Sequence, residues 1–403
     1  MCALARKLQS RNHETVLMCL PDTEPFVRAA GLSFLPCCEN EFPMGSVDQY
    51  VRGIGTRQGE EALQLSIEAC AAMTNAMFNS LPATLKAVAV DALVLDTYLF
   101  YAELLPISLG MPYAHVSNAL HFDYSGYTPL PVYGWPHETR PESIERNREG
   151  VANFLKIVRQ ANGEARAYAE RVRLKVNWDN PQATISQLAW LTQTPKEFDF
   201  ESSHWPSQLH HTGPFHDGAG RIDVEFPWDR LTGEPIIYAS MGTLQNRVAN
   251  VFHTIASATS KLKDVQLVFS LGEHVDPKEI GPLPKSAITV KYAPQLELLK
   301  RTAVCITHAG LNTVLEALAQ GVPQVAIPVT NDQPGVAARI ADKKTGLVLP
   351  LKDLSTPRLS GLLDEVLTDP TSRNNSQYFQ KIIAKTNGLS MAANIMERAF
   401  GLT

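Results

Sequence analysis

Between residues 292 and 333 lie the aromatic Tyr292, the amides of Gln295, Asn312 and Gln333, the imidazole of His308, the hydroxyl of Thr313 and the carboxylates of Glu316 and Asp332, spaced to hold a charged ligand rich in hydroxyl groups. An apolar run, Val304, Cys305 and Ile306, leads into Thr307, His308, Ala309 and Gly310. Leu311, Val314, Leu315 and Leu318 then recur at the spacing of a helix with one buried face. The pattern reads as strand, tight turn, helix. A helix entered through small residues leaves its first N–H groups unpaired and its dipole favours an anion there, so the turn suits a diphosphate. His308, Gly310, Asn312 and Thr313 fall in or just after it. Glu316 shares a helical face with Asn312, and a carboxylate there repels phosphate but accepts hydrogen bonds from ribose hydroxyls. Gly321, Val322 and Pro323 end the helix, residues 324–328 read as the next buried strand, and Asp332 and Gln333 follow on the rim that carries His308.

The set resembles the nucleotide-binding signature of the family 1 glycosyltransferases, the UDP-sugar-dependent enzymes of plants and bacteria. The matching residues are Tyr292, Ala293, Pro294 and Gln295; Thr307, His308, Gly310, Asn312 and Thr313; and Glu316, Gly321, Val322, Pro323, Asp332 and Gln333. Taken singly, each has a bland explanation as a packed histidine, a solvated glutamate or ordinary turn chemistry; in register together they form a specific motif. The short stretch between Gln295 and His308, the 118–141 region and the 193–199 segment are similar to the bacterial branch near the macrolide and zeaxanthin glucosyltransferases. The resemblance implies that Tyr292 stacks on uracil, Gln295 contacts base or ribose, and His308, Gly310, Asn312 and Thr313 hold the diphosphate. Glu316 would take the ribose hydroxyls, and Asp332 with Gln333 those of the transferred sugar. Gly242 and Thr243 end another apolar run and resemble the family's Gly-Ser/Thr turn, a second phosphate contact.

The 403 residues are 44% apolar and 19% charged with a net charge of −5, enough for two domains with substantial cores and without the basic runs of a nucleic-acid binder. Six cysteines are scattered with no Cys-x-x-Cys spacing, which reads as reduced thiols in a cytoplasmic protein and no zinc. No apolar run reaches eighteen residues, although peripheral membrane contact for a lipophilic acceptor stays open.

Strands and helices alternate along the first half, which argues for a parallel, doubly wound sheet. The chain begins, however, with an amphipathic helix over 1–8 followed by a strand over 15–20, and the central strand such a sheet starts with is not in the pattern. By resemblance, the loop after that strand carries the catalytic histidine, so the base is expected upstream of Met1. His13 sits in a turn at the opposite end of the sheet and does not replace it. Asp96, ending the strand 93–96, matches the carboxylate that orients such a histidine; its other reading is the N-cap of a helix over 98–109. A helical stretch is expected over 58–81 and another over 142–176. Between them, the aromatic and proline-rich 118–141 reads as an acceptor pocket or a surface loop, with His115 and His121 as weak acceptor contacts. The last strand of the first half is expected at 188–191.

The expected fold class is α/β of the GT-B type, two Rossmann-like doubly wound parallel-sheet domains facing across a cleft. Residues 1–214 form the acceptor domain, 215–234 a linker, 235–385 the nucleotide-sugar domain, and 386–403 a helix packing back on the first. The resemblance implies inverting transfer of a hexose, glucose foremost, from a UDP-sugar to a hydroxyl of an apolar small molecule, with no metal and no cofactor. A nucleotide-sugar binder lacking its base and a related epimerase or hydrolase are the rivals.

Overall fold

The computed structural model describes all residues except 181, 220–222, 243–248, 274 and 403. Thr243 and part of the expected linker therefore lie outside the described residues. Twelve strands are assigned among the described residues: β1 Val16–Cys19, β2 Ser33–Pro36, β3 Leu93–Asp96, β4 Tyr113–Ser117, β5 Trp190–Thr192, β6 Leu209–His211, β7 Ile236–Ser240, β8 Gln266–Ser270, β9 Ile288–Val290, β10 Thr302–Thr307, β11 Gln324–Ala326 and β12 Gly346–Val348.

The second half forms one parallel six-stranded sheet in the order β12-β11-β10-β7-β8-β9. The chain winds outward from β7 in one direction and then returns to β10 and winds outward in the other, the order of a doubly wound nucleotide-binding sheet. Its switch point lies between β7 and β10, where ligands of such sheets bind beyond the carboxyl ends of the strands. Ile237, Ala239, Leu267, Phe269, Val304, Ile306 and Val325 pack on one face against Phe252 and Ile255 of the helix Ala249–Thr259 and against Leu359 and Leu363 of the helix Thr356–Thr368. The helix Leu311–Ala319 buries Leu311, Val314, Leu315 and Leu318, the stripe its sequence spells out.

The first half divides into a parallel pair, β1-β2, and a parallel four-stranded sheet, β3-β4-β5-β6. Helix Cys2–Gln9 joins them: Leu4 packs with Ala114 and Val116 of β4, while Ala5 packs with Val27 and Leu32 beside β1 and β2. The helix Gly388–Phe400 lies on the same cluster through Ala392, Ile395 and Met396, and its Glu397 accepts hydrogen bonds from Arg11 (2.7 Å) and His13 (2.9 Å).

Several local expectations need correction. The helix expected over 98–109 is only Leu104–Leu109, because Pro106 has no N–H and its ring clashes one turn back, so it is tolerated only in a first turn. Asp96 therefore caps no helix. The 142–176 stretch is two helices, Pro141–Ala161 and Gly163–Arg171, parted at Asn162, whose side chain bonds back to Val158 O at 2.9 Å. The helix expected over 58–81 runs further, Gly59–Val88. The strand expected at 188–191 is β5, and it is not the last of its sheet: β6 pairs beyond it.

At Gly346 in β12 a Cβ would stand 2.1 Å from Gln324 O across the strand pair. Gly346→Ala should therefore lower the folding free energy by about 1–3 kcal/mol. The expected readout is a lower urea midpoint at unchanged slope.

Candidate active site

β10 ends at Thr307, whose hydroxyl accepts the Ala309 N–H at 3.1 Å; Ala309 turns through φ +65° and Gly310 opens the helix Leu311–Ala319. No side chain caps this helix among the described residues, so its first N–H groups face the rim at the switch point. Gly242, at the end of β7, comes to the same place from the neighbouring strand with φ +77°. The His308 imidazole lies between the two glycines. A Cβ at Gly242 would meet its Nε2 at 2.6 Å and one at Gly310 at 2.5 Å, so only glycine leaves room for the ring at either position. Burial pushes His308 down to about 4, opposed by the Ser240 backbone, and its Nδ1 has no hydrogen-bond partner among the described residues. The imidazole is neutral at ordinary pH.

Behind this rim a second group of polar residues converges. Glu316 is 3% exposed and its Oε2 accepts from Gln295 Nε2 at 2.7 Å; Gln295 Oε1 in turn accepts from Tyr238 OH at 2.9 Å, and Thr313 Oγ1 stands 3.4 Å from Gln295 Nε2. Tyr238 on β7 was not singled out in the sequence, because a tyrosine in an apolar strand looks like core; only the fold shows its hydroxyl aimed at Gln295. His216, 4.0 Å from Glu316 Oε1, also escaped notice, having no motif around it. Tyr292 follows β9 with its ring 44% exposed.

The remaining candidates sit where the two halves meet. Asn312 Oδ1 accepts from Gln193 Nε2 at 2.8 Å, and Gln193 also donates to Asn118 O at 2.8 Å, so a side chain of the first half lies against the opening of the helix Leu311–Ala319. Asp332 accepts the Leu120 N–H at 3.1 Å, and burial raises its carboxyl to about 6. Gln333 Oε1 accepts from the Val329 and Thr330 N–H groups at 2.9 and 3.1 Å, so this oxygen holds the loop that leads into its own helix. On the opposite side, Asp96 ends β3, taking the Tyr98 N–H at 2.9 Å and Asn118 Nδ2 at 2.6 Å, and burial raises it. Tyr98, half-buried, donates to Leu120 O at 3.2 Å, and burial together with the Asp332 and Asp96 carboxylates raises its hydroxyl well above the ordinary range.

The two histidines named as weak acceptor contacts are both buried. His115 is 3% exposed and its Nδ1 accepts the Ser186 N–H at 3.1 Å; His121 is 1% exposed and stands beside Asp199. The 118–141 stretch, far from being a free surface loop, buries Leu120, Phe122 and Leu130.

His308 and His115 are both lowered to about 4, so between pH 6.5 and 4 each is neutral in the folded chain and protonated in the unfolded one. The unfolded state then binds more protons, and stability should fall as pH drops through this window, by of the order of 1 kcal/mol per pH unit for each group. Urea denaturation at pH 6.5 and 5 should show a smaller loss in a His115→Gln variant than in the parent chain.

Comparison with known proteins agrees with this geometry. Residues 224–384 match the model of the UDP-glucoronosyl and UDP-glucosyl transferase family. The zeaxanthin glucosyltransferase of Pantoea ananas is 25% identical over 397 residues, 98% of this chain and 91% of that protein; that of Pseudescherichia vulneris is 27% identical over 88% of this chain and 84% of its own length. The calicheamicin glycosyltransferase CalG4 superposes with a TM-score of 0.73 at 19% identity, covering 100% of this chain and 94% of its own, and the glycosyltransferase VinC, solved with DTDP, with 0.67 at 19% identity, covering 99% and 95%. These structures share the fold, GT-B, with its two α/β domains. Residues 224–384, which carry the nucleotide-binding signature assembled at the switch point of the second sheet, match the UDP-glucoronosyl and UDP-glucosyl transferase family, and the chain along its length is similar to UDP-glycosyltransferases.

Proposed function

We propose that this enzyme transfers a hexose, glucose foremost, from UDP to a hydroxyl of an apolar small molecule with inversion at the anomeric carbon. The observation that carries the reading is the pairing, around one helix, of an uncapped N-terminus beside neutral His308 with the Tyr238–Gln295–Glu316 chain one turn further on. The first suits a diphosphate and the second a ribose. The helix N–H groups, His308, Asn312 and Thr313 would stabilise the charge that develops on the leaving UDP. Gly242 and Thr243 would add to the phosphate contacts, Tyr292 would stack on the base, and Asp332 with Gln333 would hold the sugar. Residues 235–385 would thus bind the donor and 1–214 the acceptor, joined by 215–234, with 386–403 returning to the first domain.

For the acceptor, a small cavity of about 40 Å³ next to the end of β3 is lined by Thr97, Phe100, His115, Phe122, Tyr124 and Trp190, with Glu103 also on its wall. It would take the part of an apolar acceptor nearest the reacting hydroxyl, the rest lying outside it. Asp96 would orient the general base that takes the acceptor proton, the oxygen then displacing UDP from the opposite face of the sugar. The bound nucleotide would displace Gln193 from Asn312.

UDP release from UDP-glucose, TDP-glucose and UDP-galactose, assayed with flavonoid, macrolide and carotenoid alcohols, tests the proposal. Turnover with UDP-glucose to a product of inverted anomeric configuration is expected. Calorimetric binding of UDP without turnover on any acceptor would instead favour a nucleotide-sugar binder. In an active enzyme, Glu316→Gln should weaken UDP binding about 10–100-fold, since a charged hydrogen bond is worth about 1.5–3 kcal/mol. Asp96→Asn should lower kcat by about 10²–10⁴-fold with UDP affinity intact.

A further inference from the structure

Away from the nucleotide, a buried cluster joins the halves. Asp199, in the segment between β5 and β6, and Arg339, in the helix Gln333–Asp342, are each 1% exposed. Asp199 Oδ1 accepts from Arg339 Nε at 2.9 Å and Nη2 at 2.7 Å and from the Phe200 N–H at 2.8 Å. Its Oδ2 accepts from His211 Nε2 at 2.7 Å, while His121 Nε2 stands 3.1 Å from the same oxygen but off the line of a hydrogen bond. The Arg339 guanidinium lies 4.1 Å over the Phe200 ring.

Two histidines and a carboxylate suggest a metal, but the distances favour hydrogen bonds. A tetrahedral ion with bonds of about 2.0–2.1 Å keeps its ligand atoms about 3.3 Å apart. His211 Nε2 and Asp199 Oδ2 are closer than that, and Arg339 already matches the carboxylate's charge. Burial alone would raise Asp199, yet Arg339 and the two histidines outweigh it and hold the carboxyl well below its ordinary range.

What the pair holds is the first turn of a helix. Arg339 Nη1 donates to Gly335 O at 3.1 Å, in the turn that begins with Gln333 directly after Asp332. From the other side, Gly335 abuts the backbone of Pro131, where a Cβ would come within 2.4 Å, and Pro334 abuts Gly134. The first domain therefore grips this turn both through Asp199 and through the 118–141 segment. Tyr292, Gln295, His308 and Glu316 are carried by other elements.

We infer that Asp199 and Arg339 are positioning residues for the transferred sugar: the ion pair fixes, from the acceptor domain, the helix turn that presents Asp332 and Gln333 to the donor. The inference rests on the reading of those two residues as sugar contacts. It makes recognition of the sugar, but not of UDP, depend on how the two domains are docked.

The test compares the parent chain with Asp199→Asn, which keeps the volume but removes the charge, and Arg339→Lys, which keeps the charge but loses the two-pronged geometry. Calorimetry gives Kd for UDP and for UDP-glucose, and turnover gives kcat with UDP-glucose and UDP-galactose. The expected result in both variants is UDP affinity within about twofold of the parent, with a tenfold or greater loss in kcat and in discrimination between the two sugars; if Asp199→Asn does not fold, Arg339→Lys carries the same readouts. Equal losses of UDP and UDP-glucose affinity, the mark of a purely structural pair, would overturn the inference, as would unchanged discrimination. Asp332→Ala is run in parallel. If it leaves sugar discrimination intact, the reading of Asp332 fails and this inference with it; if it abolishes discrimination while Asp199→Asn does not, the positioning role alone fails.

Discussion

A helix cannot satisfy its own first N–H groups, and here the helix Leu311–Ala319 begins, among the described residues, with no side-chain cap at the one place in a six-stranded parallel sheet where the winding reverses. Much of the site follows from that. The strands on either side of the reversal must end in residues small enough for their loops to converge, which Gly242 and Gly310 are, and the imidazole of His308 fills the space they leave. Burial keeps that imidazole neutral, so on the proposed reading it would meet the diphosphate as a hydrogen-bonding partner, with the positive potential coming from the helix dipole. Glu316 is placed one turn deeper, where on that reading a carboxylate would no longer oppose the anion.

The second constraint is the docking of the halves. The halves meet through an apolar cluster, in which Leu120 and Phe198 pack among Leu311, Val336, Ile340 and Phe379, and through specific polar contacts: Gln193 to Asn312, Leu120 N–H to Asp332, Thr330 to Gly59 O, and the buried Asp199–Arg339 pair. A buried ion pair is a weak source of net stability, because desolvation offsets most of its attraction, but it penalises any arrangement in which either partner is left alone. Such a pair is suited to defining a relative position. The backbone contact of Gly335 with Pro131 does the same by shape, since no larger residue fits between them.

Sequence reasoning succeeded where a residue's neighbours in the chain are also its neighbours in space. The turn after β10, the apolar stripe of the following helix and the register from His308 to Asp332 are local, and they were legible together with the fold class. It failed where local pattern is weak or where a single residue overrides it. Pro106 shortened one helix and Asn162 divided another; β6, three residues long with two histidines in it, offers too few positions for an alternation to show.

By itself, then, the sequence determined the doubly wound second sheet and which residues stand at its switch point, because strand, turn and helix periodicities are written in consecutive side chains. Only the tertiary structure decided that Tyr238 orients Gln295, that His115 and His121 serve the interior, and that Asp199 meets Arg339. Those pairs are separated by up to 140 residues, and nothing in either partner's own surroundings specifies the other; their meeting depends on how two separately formed sheets pack together.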